Sequence, residues 1–279
     1  MKLSVMSYTI ARTGWYNKEN KLEGLKKTCR LAQEIGTDGI DWVTTYNIPP
    51  VEVRKAMDDN GLKTVCYTDF VSGLSQDTFA QRCATVDSVY VIIDTAVKLG
   101  TDKVMLVTPG NDNVPRDILR RNYIRGLQEC AGFARQAGVT MTIENFPGKN
   151  SPFVVSGDVL EAFREVPGLK LTYDNGNVAI GGEDPGASFT RCADYVAHAH
   201  FKDWERMPQG EGREALDGHF YKPALIGEGM VDQLGSLKAM KAAGYQGYIN
   251  IEYESNEYPA DEATRRAAKY LQGLMQQIT

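Results

Sequence analysis

Four short apolar segments of this chain end in side chains that can bind a metal ion or carry a proton. They are Thr142-Ile143-Glu144-Asn145-Phe146, Leu171-Thr172-Tyr173-Asp174-Asn175-Gly176-Asn177, His198-Ala199-His200-Phe201-Lys202-Asp203 and Asn250-Ile251-Glu252-Tyr253-Glu254. Laid side by side and parallel, they bring Glu144, Asp174, His200 and Glu252 to one end of one sheet. Three carboxylates about 4 Å apart repel by roughly 4 kcal/mol per pair at an effective dielectric of 20. A divalent cation removes that repulsion. The oxygen-rich set with one imidazole favours Mn²⁺, with Mg²⁺, Co²⁺ or Zn²⁺ as alternatives.

Four protein ligands leave two positions on an octahedral ion, enough for the adjacent oxygens of a hydroxy-ketone. A metal on those oxygens acidifies the carbon-bound proton between them. Glu144 and Glu252 are the candidates for moving it, one as base and one as acid. Return of the proton to the other face gives epimerisation, and return to the neighbouring carbon gives isomerisation. Loss of the next hydroxyl gives elimination. Lys202 shares the site, either as an electrophile for the enediolate oxygen or as a plain ion-pair partner of Asp174 or Glu228. His198 points the same way as His200, one pleat deeper. It is read as a group supporting the ligands rather than a ligand, and is counted with the substrate-binding residues.

The elements that must hold these residues alternate. Apolar strand patterns lie near residues 3–10, 38–45, 62–69, 102–108, 138–144, 169–174, 195–202 and 248–254. Helical patterns lie at roughly 19–35, 49–60, 75–99, 115–137, 156–165, 186–194, 231–244 and 260–277. Five helices stop before Gly36, Gly61, Gly100, Gly138 and Gly244, where the left-handed conformation ends a helix. Eight strand–helix units predict parallel strands with right-handed crossovers, and a (β/α)8 TIM barrel spanning 1–279 as a single domain. An open doubly wound sheet is disfavoured, because Thr9-Ile10-Ala11-Arg12-Thr13-Gly14 is no glycine-rich phosphate turn. Parity places Val139, Met141 and Ile143 on one face and Thr140, Thr142 and Glu144 on the other. The sixth, seventh and eighth strands repeat this pattern. The polar face turns inward and its last members reach the C-terminal mouth, with the chemistry on strands five to eight.

Composition bounds the rest. The chain has 279 residues, 42% hydrophobic and 24% charged, with a net charge of −5. Nucleic acid is a poor partner for that balance. Five cysteines without paired spacing read as reduced thiols of a cytoplasmic protein. No signal peptide and no run of membrane length are expected. Only three histidines occur.

The run Ile-Glu-Asn, Tyr-Asp-Asn-Gly-Asn, His-x-His-x-Lys-Asp, Gly-Glu-Gly and Ile-Glu-Tyr resembles the xylose isomerase-like TIM-barrel superfamily. Within it the chain resembles the sugar phosphate isomerase and epimerase group, with ketose 3-epimerases and inosose dehydratases as relatives. The resemblance implies Glu144, Asp174, His200 and Glu252 as metal ligands, with Glu144 and Glu252 doubling as the proton-transfer pair. It implies substrate contacts for Asn177, which otherwise caps the following loop, and for Arg206. Many relatives carry His after the Glu-Asn pair; here Phe146 stands there, which removes one polar contact. Strand two of relatives often ends in Glu, and Asp41 stands near that position. The long segment 204–230 reads as a lid or an interface.

The expected function is a divalent-metal sugar or cyclitol isomerase or epimerase. The alternative is a dehydratase or β-eliminating lyase on a keto-sugar or inosose, and after that a sugar-binding domain without turnover. A related endonuclease would need more histidines and a basic groove. The expected partner is a small carbohydrate, with no nucleic acid, no membrane and a possible homo-oligomer.

Overall fold

The computed structural model describes residues 1–17 and 19–278. Eight parallel strands close into a barrel in the order β1-β11-β7-β6-β5-β4-β3-β2. They are β1 (Lys2–Met6), β2 (Gly39–Val43), β3 (Lys63–Phe70), β4 (Lys103–Val107), β5 (Thr140–Glu144), β6 (Lys170–Asp174), β7 (Val196–Phe201) and β11 (Tyr248–Ile251). Helices α1 (Ser7–Ala11), α2 (Lys21–Glu34), α3 (Pro50–Asp59), α4 (Phe79–Leu99) and α5 (Arg116–Ala137) follow the first four strands. Then come α6 (Ser156–Glu165), α7 (Asn175–Ile180), α8 (Pro185–Cys192), α9 (Gln233–Ala242) and α10 (Ala260–Gln277). Between β7 and α9 lies a small antiparallel sheet of β8 (Asp203–Met207), β9 (Arg213–Glu214) and β10 (Phe220–Ala224), in the order β8-β10-β9.

The alternation of side chains explains the layers. Val104, Leu106, Ile143, Leu171, Tyr173, Phe201, Ile249 and Ile251 leave the barrel outward and are buried in one core under the helices. Each such side chain contributes about 1.5–3 kcal/mol by leaving water. Helix α10 answers with Ala263, Ala267 and Leu271, buried along one stripe at helical spacing. The glycines that stop α4 and α5, Gly100 and Gly138, have φ of 77° and 68°, where a side chain would be strained.

Two boundaries differ from the sequence expectation. The first strand stops at Met6, and the chain turns into the short α1. There the Ser7 hydroxyl accepts the Val43 N–H at 2.8 Å, and Thr9 Oγ1 accepts the Tyr253 N–H at 3.0 Å. The same bond ends the last strand early, because the backbone past Glu252 is tied to a side chain of α1 rather than to a ladder.

The segment 204–230 holds the antiparallel sheet, over a small separate core of Ile180, Trp204, Ala215, Tyr221 and Val231. The buried Asp203 carboxylate gathers its two ends. It accepts the backbone N–H groups of Trp204 (2.9 Å), Gly227 (2.9 Å), Gly229 (3.2 Å) and Val231 (3.0 Å).

Candidate metal and active site

Glu144 and Asp174 are the last residues of β5 and β6, His200 the fifth of β7, and Glu252 follows β11 directly. They are four neighbouring strands of the ring, so the side chains that alternate inward converge at one level. Each residue offers a ligand atom within 4.8 Å of the other three. All four side chains are buried, Asp174 and His200 completely. His200 Nδ1 lies 2.8 Å from Glu144 Oε1 and 3.3 Å from Glu252 Oε2.

Neighbouring side chains fix these positions. Asn145 spans β5 and β6: its amide donates to the Asp174 carbonyl at 2.7 Å and accepts the Asp174 N–H at 2.9 Å. Asp174 caps α7, with Oδ1 accepting the Asn177 N–H at 2.7 Å. The Lys202 backbone is held on both sides. Its N–H donates to Asn175 Oδ1 at 3.2 Å, and its carbonyl accepts from Gln233 Nε2 at 3.0 Å. Asn175 and Gln233 are themselves joined at 2.7 Å.

The Lys202 ammonium sits among acids, 2.9 Å from Glu252 Oε1, 3.5 Å from Asp174 Oδ2 and 3.7 Å from Glu254 Oε2. Burial opposes its charge, but Glu252 and the other carboxylates hold its pKa well above the usual lysine range. Burial likewise pushes on Glu252, yet Lys202 and His200 outweigh it and bring the acid down to about 2. Asp174 goes the other way: burial, with Glu144 and Glu252 nearby, raises its pKa well above the usual range against the pull of Lys202.

The donor set fits a divalent ion. Asp174 Oδ2 and Glu252 Oε2 are buried with no hydrogen-bond partner, a costly state for carboxylate oxygens that a cation would relieve. Oxygen donors with one imidazole suit hard or borderline ions.

The other predicted residues divide. His198 is buried one pleat below His200, and its Nε2 contacts Asp41 Oδ2. Asn177 is buried at the start of α7, and neither polar atom of its amide has a partner. Arg206 is not brought to the cluster. Its exposed side chain lies on β8, 2.9 Å from a ring nitrogen of His219. Glu228 accepts from Tyr258 at 3.2 Å, whereas Lys202 pairs with Asp174 and not with Glu228.

Asp41, noted above for its place on strand two, is brought beside His198 and His200. It enters from β2, on the other side of the lumen from strands five to eight. Its Oδ1 accepts from Ser4 at 3.0 Å, and Oδ2 stands 3.7 Å from His200 Nε2. Burial opposes its charge, but His198 and His200 hold its pKa well below the carboxylate range. Inward parity on β2 was the signal that could have found it. Asn175 and Gln233 carried no such signal, because their bonds depend on how α7 and α9 pack.

Comparison with known proteins agrees with this architecture. The family described as xylose isomerase-like TIM barrel matches residues 22–274. An inosose dehydratase of Lacticaseibacillus casei is 28% identical over 160 residues, 54% of this chain and 53% of that enzyme. An inosose dehydratase of Halalkalibacterium halodurans is 26% identical over 156 residues, 52% of this chain and 50% of that one. The chain therefore spans about half the length of these curated relatives. Among solved structures, L-ribulose 3-epimerase superposes with a TM-score of 0.80 at 16% identity, covering 99% of this chain and 95% of that one. The IolI protein with a zinc atom gives 0.79 at 17%, covering 100% and 99%. At such identities the likeness shows the fold. No helix among the described residues is long and apolar enough to cross a membrane.

Proposed function

The chain belongs to the xylose isomerase-like TIM-barrel family, and on that premise we propose that it is a divalent-metal-dependent isomerase or epimerase. It removes a proton from the carbon next to the carbonyl of a sugar or cyclitol. The observation that carries this reading is the convergence of Glu144, Asp174, His200 and Glu252, all buried, within 4.8 Å. These four would hold the ion, with Mn²⁺ the first candidate. Once bound, such an ion supplies Lewis acidity toward a carbonyl and its neighbouring hydroxyl.

The chain's own groups do the rest. The low pKa of Glu252 keeps it ionised, as a base must be. Glu144 faces it across His200 and serves as the second proton carrier. Lys202 donates a hydrogen bond to the substrate oxygen as negative charge grows on it, because its ammonium is already fixed at the carboxylates. The unpartnered amide of Asn177 takes a substrate hydroxyl. Burial excludes water and strengthens each of these interactions.

A second reading has its own support. The curated relatives include inosose dehydratases, and a lysine ammonium beside two glutamates can protonate a departing hydroxyl. Incubation of the Mn²⁺-loaded protein with ketoses and inososes in D₂O separates the two. Deuterium in a recovered sugar of changed configuration or carbonyl position supports the first. A dehydrated product supports the second. Unlabelled, unchanged sugars throughout would leave only a binding protein.

A further inference from the structure

The barrel lumen has two unlike halves. Strands β5, β6, β7 and β11 line one with Glu144, Asp174, His200, Lys202 and Glu252. The inward residues of β3 and β4 line the other with Cys66, Met105 and Val107. These three form an apolar cluster separate from the main core, and the half-buried Phe146 packs against it from the mouth. The two halves abut. Cys66 is the ladder partner of Asp41, and Met105 that of Thr142, so Val107 comes level with Glu144. Burial, with Asp41 adding to it, pushes the Cys66 thiol up to about 12, so this sulfur acts as an apolar surface and not as a nucleophile.

Most cations near the mouth are already engaged, and the exposed Arg206 on β8 turns to the ring of His219 rather than toward the apolar cluster. Lys202 is enclosed by carboxylates. Arg12 donates to the Tyr253 carbonyl at 3.1 Å, Lys149 pairs with Glu214, and Arg213 lies over the Trp204 ring. The Thr68 hydroxyl, buried and without a partner, offers room for one polar contact beside the apolar cluster.

We infer that the substrate presents a hydrocarbon edge, a deoxy or methyl-bearing carbon without phosphate, to Cys66, Met105, Val107 and Phe146 while its carbonyl edge faces the carboxylates. This rests on the reading above as a proton-transfer enzyme. Beyond the one contact that Thr68 offers, a hydroxyl or phosphate pressed on this surface would be buried without a partner, which disfavours it.

The test uses the Mn²⁺-loaded full chain in D₂O. It compares D-fructose with 6-deoxy-D-fructose and D-fructose 6-phosphate, and an inosose with its deoxy counterpart. Deuterium incorporation should be about tenfold more efficient for the deoxy member of a pair, and roughly a hundredfold less for the phosphate. Val107→Thr, which conserves volume, should erase most of the deoxy preference, and Phe146→Asn at the half-buried rim should do the same if the first variant folds poorly. Equal or better exchange with the hydroxylated or phosphorylated sugar overturns this inference and leaves the proposed function standing. Absence of exchange, dehydration and turnover with every compound overturns both.

Discussion

Asp41 and His198, 157 residues apart in sequence, meet inside the barrel. Two strands, β1 and β11, separate their own strands on the ring. The contact is therefore a brace across the lumen, directly beneath His200. With Asp41 held as a carboxylate, it faces the Nε2 edge of His200 and leaves Nδ1 turned toward Glu144 and Glu252. At 3.7 Å Asp41 makes no hydrogen bond to His200, but its buried charge faces that ring and its contact with His198 braces the strand that carries it. Asp41→Asn should weaken Mn²⁺ binding by roughly 10–100-fold with the fold intact. Competition with a chromophoric chelator, alongside circular dichroism, measures this; unchanged affinity would remove Asp41 from the role.

Lys202 and the metal ion should oppose one another. Lys202→Met removes a positive charge 2.9 Å from Glu252. Turnover should fall by about 10²–10⁴-fold, while Mn²⁺ affinity stays level or rises. A parallel loss of both would mean that Lys202 only supports the fold.

Glu252→Gln should abolish deuterium exchange. The remaining Glu144, Asp174 and His200 still offer three ligands, so metal is retained with reduced affinity. Exchange persisting in this variant would assign the base elsewhere.

Acid should act through Glu183. Burial raises its pKa, but the Ser156 N–H (2.8 Å), the hydroxyls of Ser156 and Ser188, and Arg191 outweigh it and lower it. A carboxylate with a depressed folded pKa stabilises above its unfolded value, near 4.5, and loses that contribution as pH falls through the folded value. Glu183→Gln should cost about 1 kcal/mol at pH 7, since the group is partly solvated. Urea midpoints should show the gap closing below about pH 4; a constant gap down to pH 2.5 would contradict the assignment.

All five cysteines are free thiols, and Cys83 is the exposed one. Burial pushes Cys29, Cys66, Cys130 and Cys192 up to about 11 or 12. Iodoacetamide at pH 7.5 should label Cys83 alone in the folded protein and all five in urea, as read by mass spectrometry. Rapid native labelling of Cys66 would mean an open lumen.

Much of this site was legible in the chain because strand parity is local. Glu144, Asp174 and His200 had to share a face once their strands were parallel, and closure of the ring followed from eight repeated units. Asp41 obeyed the same parity, but its partner became visible only when closure of the ring set β2 three strands from β7. The place of Arg206 was not legible for a different reason: it lies in an antiparallel excursion whose side-chain directions no barrel rule governs. The tether of the Lys202 backbone by Asn175 and Gln233 depends on the docking of α7 against α9, which periodicity does not encode.

The way Asp203 ties its excursion has a consequence for how this protein could diversify. One carboxylate clasps both ends of the stretch from Trp204 to Val231, and the clustered Glu144, Asp174, His200 and Glu252 all lie outside it. That stretch is thus a detachable cassette. Replacing it between positions 205 and 226 with a differently shaped hairpin would change this face of the protein and leave the four clustered side chains on their own strands.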